Sequence, residues 1–151
     1  MKSCFKVPIL LVLLAIATRI PAQIKVGELI NGEPTLIMSD SELTDTLAFV
    51  LNGVTLVNTV AESATDTLGL FYYIKAEGER PNQSVPSKVA VILSLDGNSL
   101  LFTNASGCSM ECNVNLPCST CDQVIFEKCK RQRCSCASES GGCSSSITFP
   151  D

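Results

Sequence analysis

Hydrophobic positions change their period along this chain. Residues 24–30 (IKVGELI) alternate in part and stop at Asn31-Gly32, a turn-forming pair; residues 35–38 read as a short return strand. Ser39 then stands three residues ahead of Glu42, the spacing of a capping box. Leu43, Leu47, Val50 and Leu51 fall on one helical face, and Asn52-Gly53 follows with residues that tolerate positive φ, so the pattern predicts a helix over 40–51. The competing reading is a hairpin turning at Asn52-Gly53, because residues 46–60 are rich in β-branched side chains; the helix is preferred. Four strands follow: 54–60 (VTLVNTV), 68–76 (LGLFYYIKA), the largely apolar 88–95 (KVAVILSL) and, after Asp96-Gly97-Asn98, 99–103 (SLLFT). Short connections favour an antiparallel meander of about four strands, with the one N-terminal helix packed on one face. The expected fold class is therefore α+β, followed by a cysteine-rich, disulfide-stapled C-terminal segment. The expected core is Leu43, Leu47, Leu51, Leu56, Leu70, Tyr72, Val89, Val91, Leu93 and Leu101.

The first 22 residues have another character. Lys2 and Lys6 precede the uncharged apolar run 7–17 (VPILLVLLAIA). As a helix that run reaches roughly 16 Å, about half of a ~30 Å bilayer core. It reads as a secretory signal over 1–22, cut before Gln23; a cut before Thr18, after Ala15-Ile16-Ala17, is the alternative. An uncleaved anchor or a buried helix is the competing interpretation. No later segment is apolar for long enough to span a bilayer, so no stable membrane span is expected in the mature chain.

Removing Lys2, Lys6 and Arg19 leaves 8 basic against 15 acidic residues, a net −7 in place of the −4 of the whole 151-residue chain. That balance argues against nucleic acid as a partner, since cations must replace the phosphate counterions. The chain has no histidine, which excludes Ser-His and Cys-His catalysis and imidazole metal ligands. Glu77 and Glu79 flank Gly78, but nothing converges on them, and loop solubility explains them better than acid–base work.

Cysteine divides the mature chain in two. Residues 23–107, the expected α+β body, contain none; residues 108–151 contain Cys108, Cys112, Cys118, Cys121, Cys129, Cys134, Cys136 and Cys143. Export, an even count and few large apolar side chains point to four disulfides, although eight cysteines allow 105 pairings and the sequence selects none. Cys134 and Cys136, two apart in an extended run, are expected to clamp different partners. Two other chemistries compete. Cys118-x2-Cys121 with Cys134-x-Cys136 has spacings suited to an all-thiolate zinc or copper(I) site, the only cofactor the sequence suggests. Cys118-Ser119-Thr120-Cys121 is also the pattern of a thiol–disulfide oxidoreductase, here without a helix start or a βαβ context. The serine- and glycine-rich run 138–146 is expected to be mobile unless Cys143 ties it down.

Lys128, Lys130, Arg131 and Arg133 are half of the mature chain's basic residues within six positions. Residues 124–126 before them and 134–136 after them predict a hairpin with these cations at its bend. They are either a solvated turn or an anion-binding tip for sulfate, phosphate or an acidic glycan. Asn82-Gln83-Ser84 and Asn104-Ala105-Ser106 match the N-glycosylation pattern in expected loops. Together these features describe a secreted, non-enzymatic binding or structural module whose stapled segment presents a surface to an unknown protein or an anionic glycan.

Overall fold

The computed structural model describes residues 23–115, 118–136 and 141–150. The expected leader, with Cys4, lies outside the described residues, as do residues 138–140 of the serine-rich run. The described chain is mostly strand: β1 (Gln23–Ile30), β2 (Glu33–Leu36), α1 (Asp40–Thr46), α2 (Ala48–Leu51), β3 (Thr55–Asp66), β4 (Gly69–Glu79), β5 (Ser87–Asp96), β6 (Ser99–Thr103), β7 (Ser109–Asn115), β8 (Cys121–Phe126), β9 (Arg131–Cys136) and β10 (Gly142–Thr148).

This overturns the α+β expectation. Eight strands form one sheet and β8–β9 forms a second, so the four-strand meander is only part of a β-fold. The miscount has a physical cause. In β7 and in the hairpin, cysteine occupies inward positions where a hydrophobe was sought. Cys108, Met110 and Cys112 are fully buried, and Cys121 is nearly so. Cysteine packs as a small apolar residue, so the period-two strand signal was present but written partly in sulfur. The serine-rich end is also a strand: β10 pairs with β7 from Gly142↔Asn115 to Thr148↔Ser109, and Cys143 bonds Cys121.

Strand β5 organises the sheet. One edge pairs with β4 from Ser87 to Leu93. The other pairs with β7 over Lys88–Val91 and with β6 over Ser94–Asp96. The chain thus returns along β5 as β6, loops out, and rejoins the same edge as β7. The antiparallel order β2-β1-β6-β5-β4-β3 curls so that β2 comes up against β3, and α1 packs on β3. Asn31 and Gly32 both have positive φ, as a two-residue hairpin turn requires, and join β1 to β2.

The predicted helix forms, split at Leu47 into α1 and α2. Its capping box is complete: Glu42 N–H donates to Ser39 Oγ, and Ser39 N–H donates to Glu42 Oε2 at 2.8 Å. Such a cap contributes about 1 kcal/mol. The helix also satisfies the edge of β3. Leu56 N–H donates to Thr44 Oγ1 at 2.9 Å, and the Thr59 hydroxyl donates to Asp40 Oδ1. Asn52, left-handed at φ 49°, ends α2.

Successive residues of β4 and β5 serve two cores. Ile74, Ala76, Val89, Val91 and Leu93 face the interior of the curl with Leu43, Leu47, Val50, Leu51 and Phe102. Phe71, Ala90 and Ile92 face the opposite side with Cys108 and Met110, where Ile125 and Cys129 of the cysteine segment pack on them. Of the expected core, Leu70 is a miss: it is 56% exposed, one residue beyond the turn between β3 and β4. Tyr72 is only partly buried.

Candidate functional site: the stapled hairpin

The hairpin foreseen around the basic cluster is present and longer than expected, with β8 and β9 in register from Cys121↔Cys136 to Phe126↔Arg131. Glu127 and Lys128 take positive φ at its bend, and a single 3-10 turn, Lys128–Lys130, leads into β9. Strict alternation gives it two faces. Gln123, Ile125, Gln132 and Cys134 face inward; Val124, Phe126, Arg131 and Arg133 face solvent, with Val124 opposite Arg133 and Phe126 opposite Arg131.

Four disulfides hold this hairpin on the sheet: Cys108–Cys129, Cys112–Cys134, Cys118–Cys136 and Cys121–Cys143. Their Cα separations of 5.6–6.1 Å fit the bridge geometry. Each cysteine pairs with the fourth one after it, an interleaved order rather than a nested one. Cys134 and Cys136 do bond different partners, as their spacing demanded. Cys118, Cys121, Cys134 and Cys136 all belong to one packed cluster with Cys112 and Cys143, and each of the four is bonded within a disulfide. Among the described residues the sulfurs of Cys118, Cys121 and Cys143 lie within 4.8 Å of one another, and they belong to two separate bridges. The two cysteines of the Cys118-x2-Cys121 motif likewise bond to different partners rather than to each other.

Two glutamines reinforce the attachment, and sequence reasoning missed both. Gln123 Nε2 donates to Met110 O at 3.1 Å and to Gln132 Oε1 at 2.9 Å. Gln132 Nε2 donates to Glu111 O at 3.2 Å and to Ser146 O at 2.6 Å. Glutamine on the inward face of a predicted strand was the available signal. At the bend, Glu127 N–H donates to Asp66 Oδ2 at 2.6 Å, tying the tip to the turn between β3 and β4.

Ion pairing separates the basic residues into two groups. Every base of the cysteine-free half has a carboxylate partner: Lys25 with Glu28 at 2.9 Å, Lys75 with Glu62 at 2.9 Å, Lys88 with Glu77 at 2.8 Å, and Arg80 with Glu111 through both guanidinium nitrogens. In the hairpin, only Arg131 has an ion pair among the described residues, with Glu127 at 3.9 Å. Lys128, Lys130, Arg131 and Arg133 are all exposed. On a chain with an acidic balance, the cations not neutralised by close partners therefore collect on one projecting element.

Beside the hairpin runs a groove in two contiguous parts, about 450 Å³ and 560 Å³, which share Ala64, Val124 and Ile125 as lining. Two residues of its floor, Tyr73 and Lys75, share one carboxylate partner. Tyr73 Oη donates to Glu62 Oε2 at 2.6 Å, and Lys75 Nζ donates to Glu62 Oε1 at 2.9 Å. Burial and then the neighbouring Glu62 carboxylate hold the Tyr73 phenol well above its ordinary pKa. Burial works against ionisation of Glu62, but donation from Tyr73 and Lys75 outweighs it and keeps the carboxyl below its usual range. Glu77 is held below its usual range by Lys88 and then by Asn58, whose side chain donates to it at 3.0 Å.

Asn82 and Asn104 are both exposed in loops. No helix of the described residues is long and apolar enough to cross a membrane. No family model, curated protein or solved structure matches the chain.

Proposed function

We propose that this is a secreted, non-enzymatic binding module whose disulfide-held hairpin engages an anionic partner, a protein or a glycan, through Lys128, Lys130, Arg131 and Arg133. What supports this is the division of ion pairs: the four bases of the body are neutralised by close carboxylates, while those of the hairpin face solvent with a single 3.9 Å contact among them. Unpaired cations on a fixed scaffold bind polyanions at little reorganisation cost, and Arg131 and Arg133 on alternate positions of one strand face stand ~7 Å apart. Val124 and Phe126, 39% and 38% exposed, lie opposite those arginines and add apolar contact. Immobilised heparin serves as a polyanion probe. The mature oxidised protein should be retained at low salt, and the R131Q/R133Q variant should elute at lower salt. Identical elution of the two proteins would overturn the reading.

A second reading draws on the close sulfurs of Cys118, Cys121 and Cys143: zinc or copper held by thiolates. It requires the bridges of these cysteines to be open in the native protein. Intact mass with and without reductant decides between them. Four bridges gain about 8 Da on reduction, whereas free thiols with bound metal would favour the second reading.

A further inference from the structure

The wall of the groove is unusual in its sequence continuity. Residues 121–125 line one part and residues 124–127 the other, so seven consecutive residues of the hairpin face the same cleft. Side chains of a strand alternate between faces, so an unbroken run along a cleft means that the cleft lies against the backbone edge. That edge is unpaired. Strand β8 pairs with β9 alone, and among the described residues no backbone hydrogen bond joins residues 121–126 to any other element. The opposite wall is again consecutive, residues 64–67 at the end of β3 and its turn.

The two layers explain why the cleft exists. The hairpin covers the sheet face over β5, β7 and β10, where Ile125 and Cys129 pack on Phe71, Ile92 and Met110. Except at the bend, where Glu127 meets Asp66, it stops short of β3 and the outer part of β4, and leaves Ala64, Tyr73 and Lys75 as the floor. The second layer therefore has two strands where the sheet beneath has room for a third. The free edge is about 20 Å long for six residues at ~3.3 Å each.

We propose that this groove takes an extended peptide segment of a partner protein, which adds to β8 as a third strand of the hairpin layer. The proposal rests on the anionic-partner reading and narrows it to a protein with acidic side chains toward one end of the bound segment. Charge argues for that end. Within the groove, Asp66 is occupied by Glu127 N–H and Leu68 N–H, and Lys75 and Lys88 by Glu62 and Glu77. The excess positive charge is at the bend, where Arg131, paired with Glu127 only at 3.9 Å, lines the groove and Lys128 and Lys130 project beside it. The peptide residues over Tyr73 and Ala64 are then small or apolar, and those reaching the bend are carboxylates. Main-chain hydrogen bonds to the β8 edge supply affinity, and the floor and the bend supply selectivity.

The probe is a fluorescent eight-residue peptide of alternating valine and threonine ending in three aspartates, titrated by anisotropy against the oxidised mature protein. A second peptide carries N-methyl groups on alternate residues along the edge that would face β8, and a third along the opposite edge. The expected result is saturable binding, weakened at least about tenfold by methylation of one edge and little by the other. Ala64→Trp, which fills the middle of the cleft and leaves every cation of the hairpin in place, should abolish peptide binding while heparin retention persists. The R131Q/R133Q variant should weaken both. If all three peptides bind alike, or if A64W binds the peptide as the parent does, strand addition is wrong while the anionic reading stands. Peptide that does not bind while heparin does assigns the surface to glycans and sinks the strand proposal. Heparin elution unaffected by R131Q/R133Q removes the anionic reading itself.

Discussion

Removing the Cys112–Cys134 bridge tests how the interleaved order distributes stability. In isolation its closed loop, with a sequence separation of 22, would restrict the unfolded chain by about 3.4 kcal/mol in the chain-entropy treatment. The neighbouring bridges change that. With Cys108–Cys129 intact, the unfolded ensemble is already joined four residues before Cys112 and five before Cys134. The Cys112–Cys134 bond then closes an effective loop of roughly nine residues, worth about 2.5 kcal/mol. On the other side Cys118–Cys136 joins the chain six residues after Cys112 and two after Cys134, so the constraint is shared and the C112A/C134A variant should lose about 2 kcal/mol. Removing Cys108–Cys129 as well should cost more than the sum of the two single losses, by about half a kcal/mol, because each bridge shortens the loop of the other. Non-reducing urea denaturation followed by circular dichroism measures both quantities from the midpoint and slope. The reasoning fails if C112A/C134A unfolds at the parent's midpoint. It also fails if the double removal costs no more than the sum, since independent loops do not produce the excess.

Four further outcomes follow from particular contacts. Gly78→Ala should destabilise by about 1–3 kcal/mol in thermal melts, because a Cβ there would meet Ser87 Oγ at 2.5 Å, Val54 Cγ1 at 2.6 Å and Val89 Cγ2 at 2.7 Å. Glu111→Gln should cost about 2 kcal/mol in urea midpoints, since it leaves Arg80, 27% exposed, without its bidentate partner; a loss under about half a kcal/mol would show the guanidinium finding water instead. The Tyr73 phenol, raised by burial and by Glu62, should ionise in ultraviolet titration at higher pH than free tyrosine. Its raised value contributes stability that is complete below the unfolded tyrosine pKa of ~10 and is lost as pH rises through the folded value, and Tyr73→Phe should flatten that alkaline slope. Gln132→Leu should lower stability by about 1–2 kcal/mol, read from the urea midpoint and slope, because two bonds from one amide to Glu111 O and Ser146 O disappear together.

The local signals were legible where one residue type has one physical use. Asn31-Gly32 forms the turn, Ser39 and Glu42 form the cap, and the apolar spacing over Leu43–Leu51 forms the buried helix face, because positive φ and capping geometry depend on few neighbours. The hairpin at the basic cluster was legible for the same reason. Three things were not. Leu70 counts as core in any hydropathy pattern, but its place beside the turn at Gly69 leaves it exposed. Strand β3 outruns its predicted end because Ser63, Thr65 and Asp66 are pinned by register with β4, a long-range choice that local polarity opposes. The serine run joins the sheet as β10 because β7 offers it a partner edge.

The cysteine segment carries the larger lesson about how this chain builds a surface. Treated as a stapled appendage, it looked separable from the body at residue 107. In the fold, β7 lies inside the main sheet between β5 and β10, and the first two bridges tie the basic hairpin to β7 and to the loop just before it. Cys108 and Cys112 thus do two jobs at once: they fill fully buried positions and they fix the hairpin to the layer beneath. A substitution to serine removes both contributions, whereas alanine keeps most of the apolar packing and removes mainly the covalent link. Comparing the two at Cys112 and Cys134 therefore separates burial from cross-linking. A serine pair less stable than the alanine pair by about 1 kcal/mol or more assigns the difference to unsatisfied hydroxyls in a dry site. Equal stabilities would mean that water reaches the hairpin's underside, and the rigid presentation of Arg131 and Arg133 would then rest on the bridges alone.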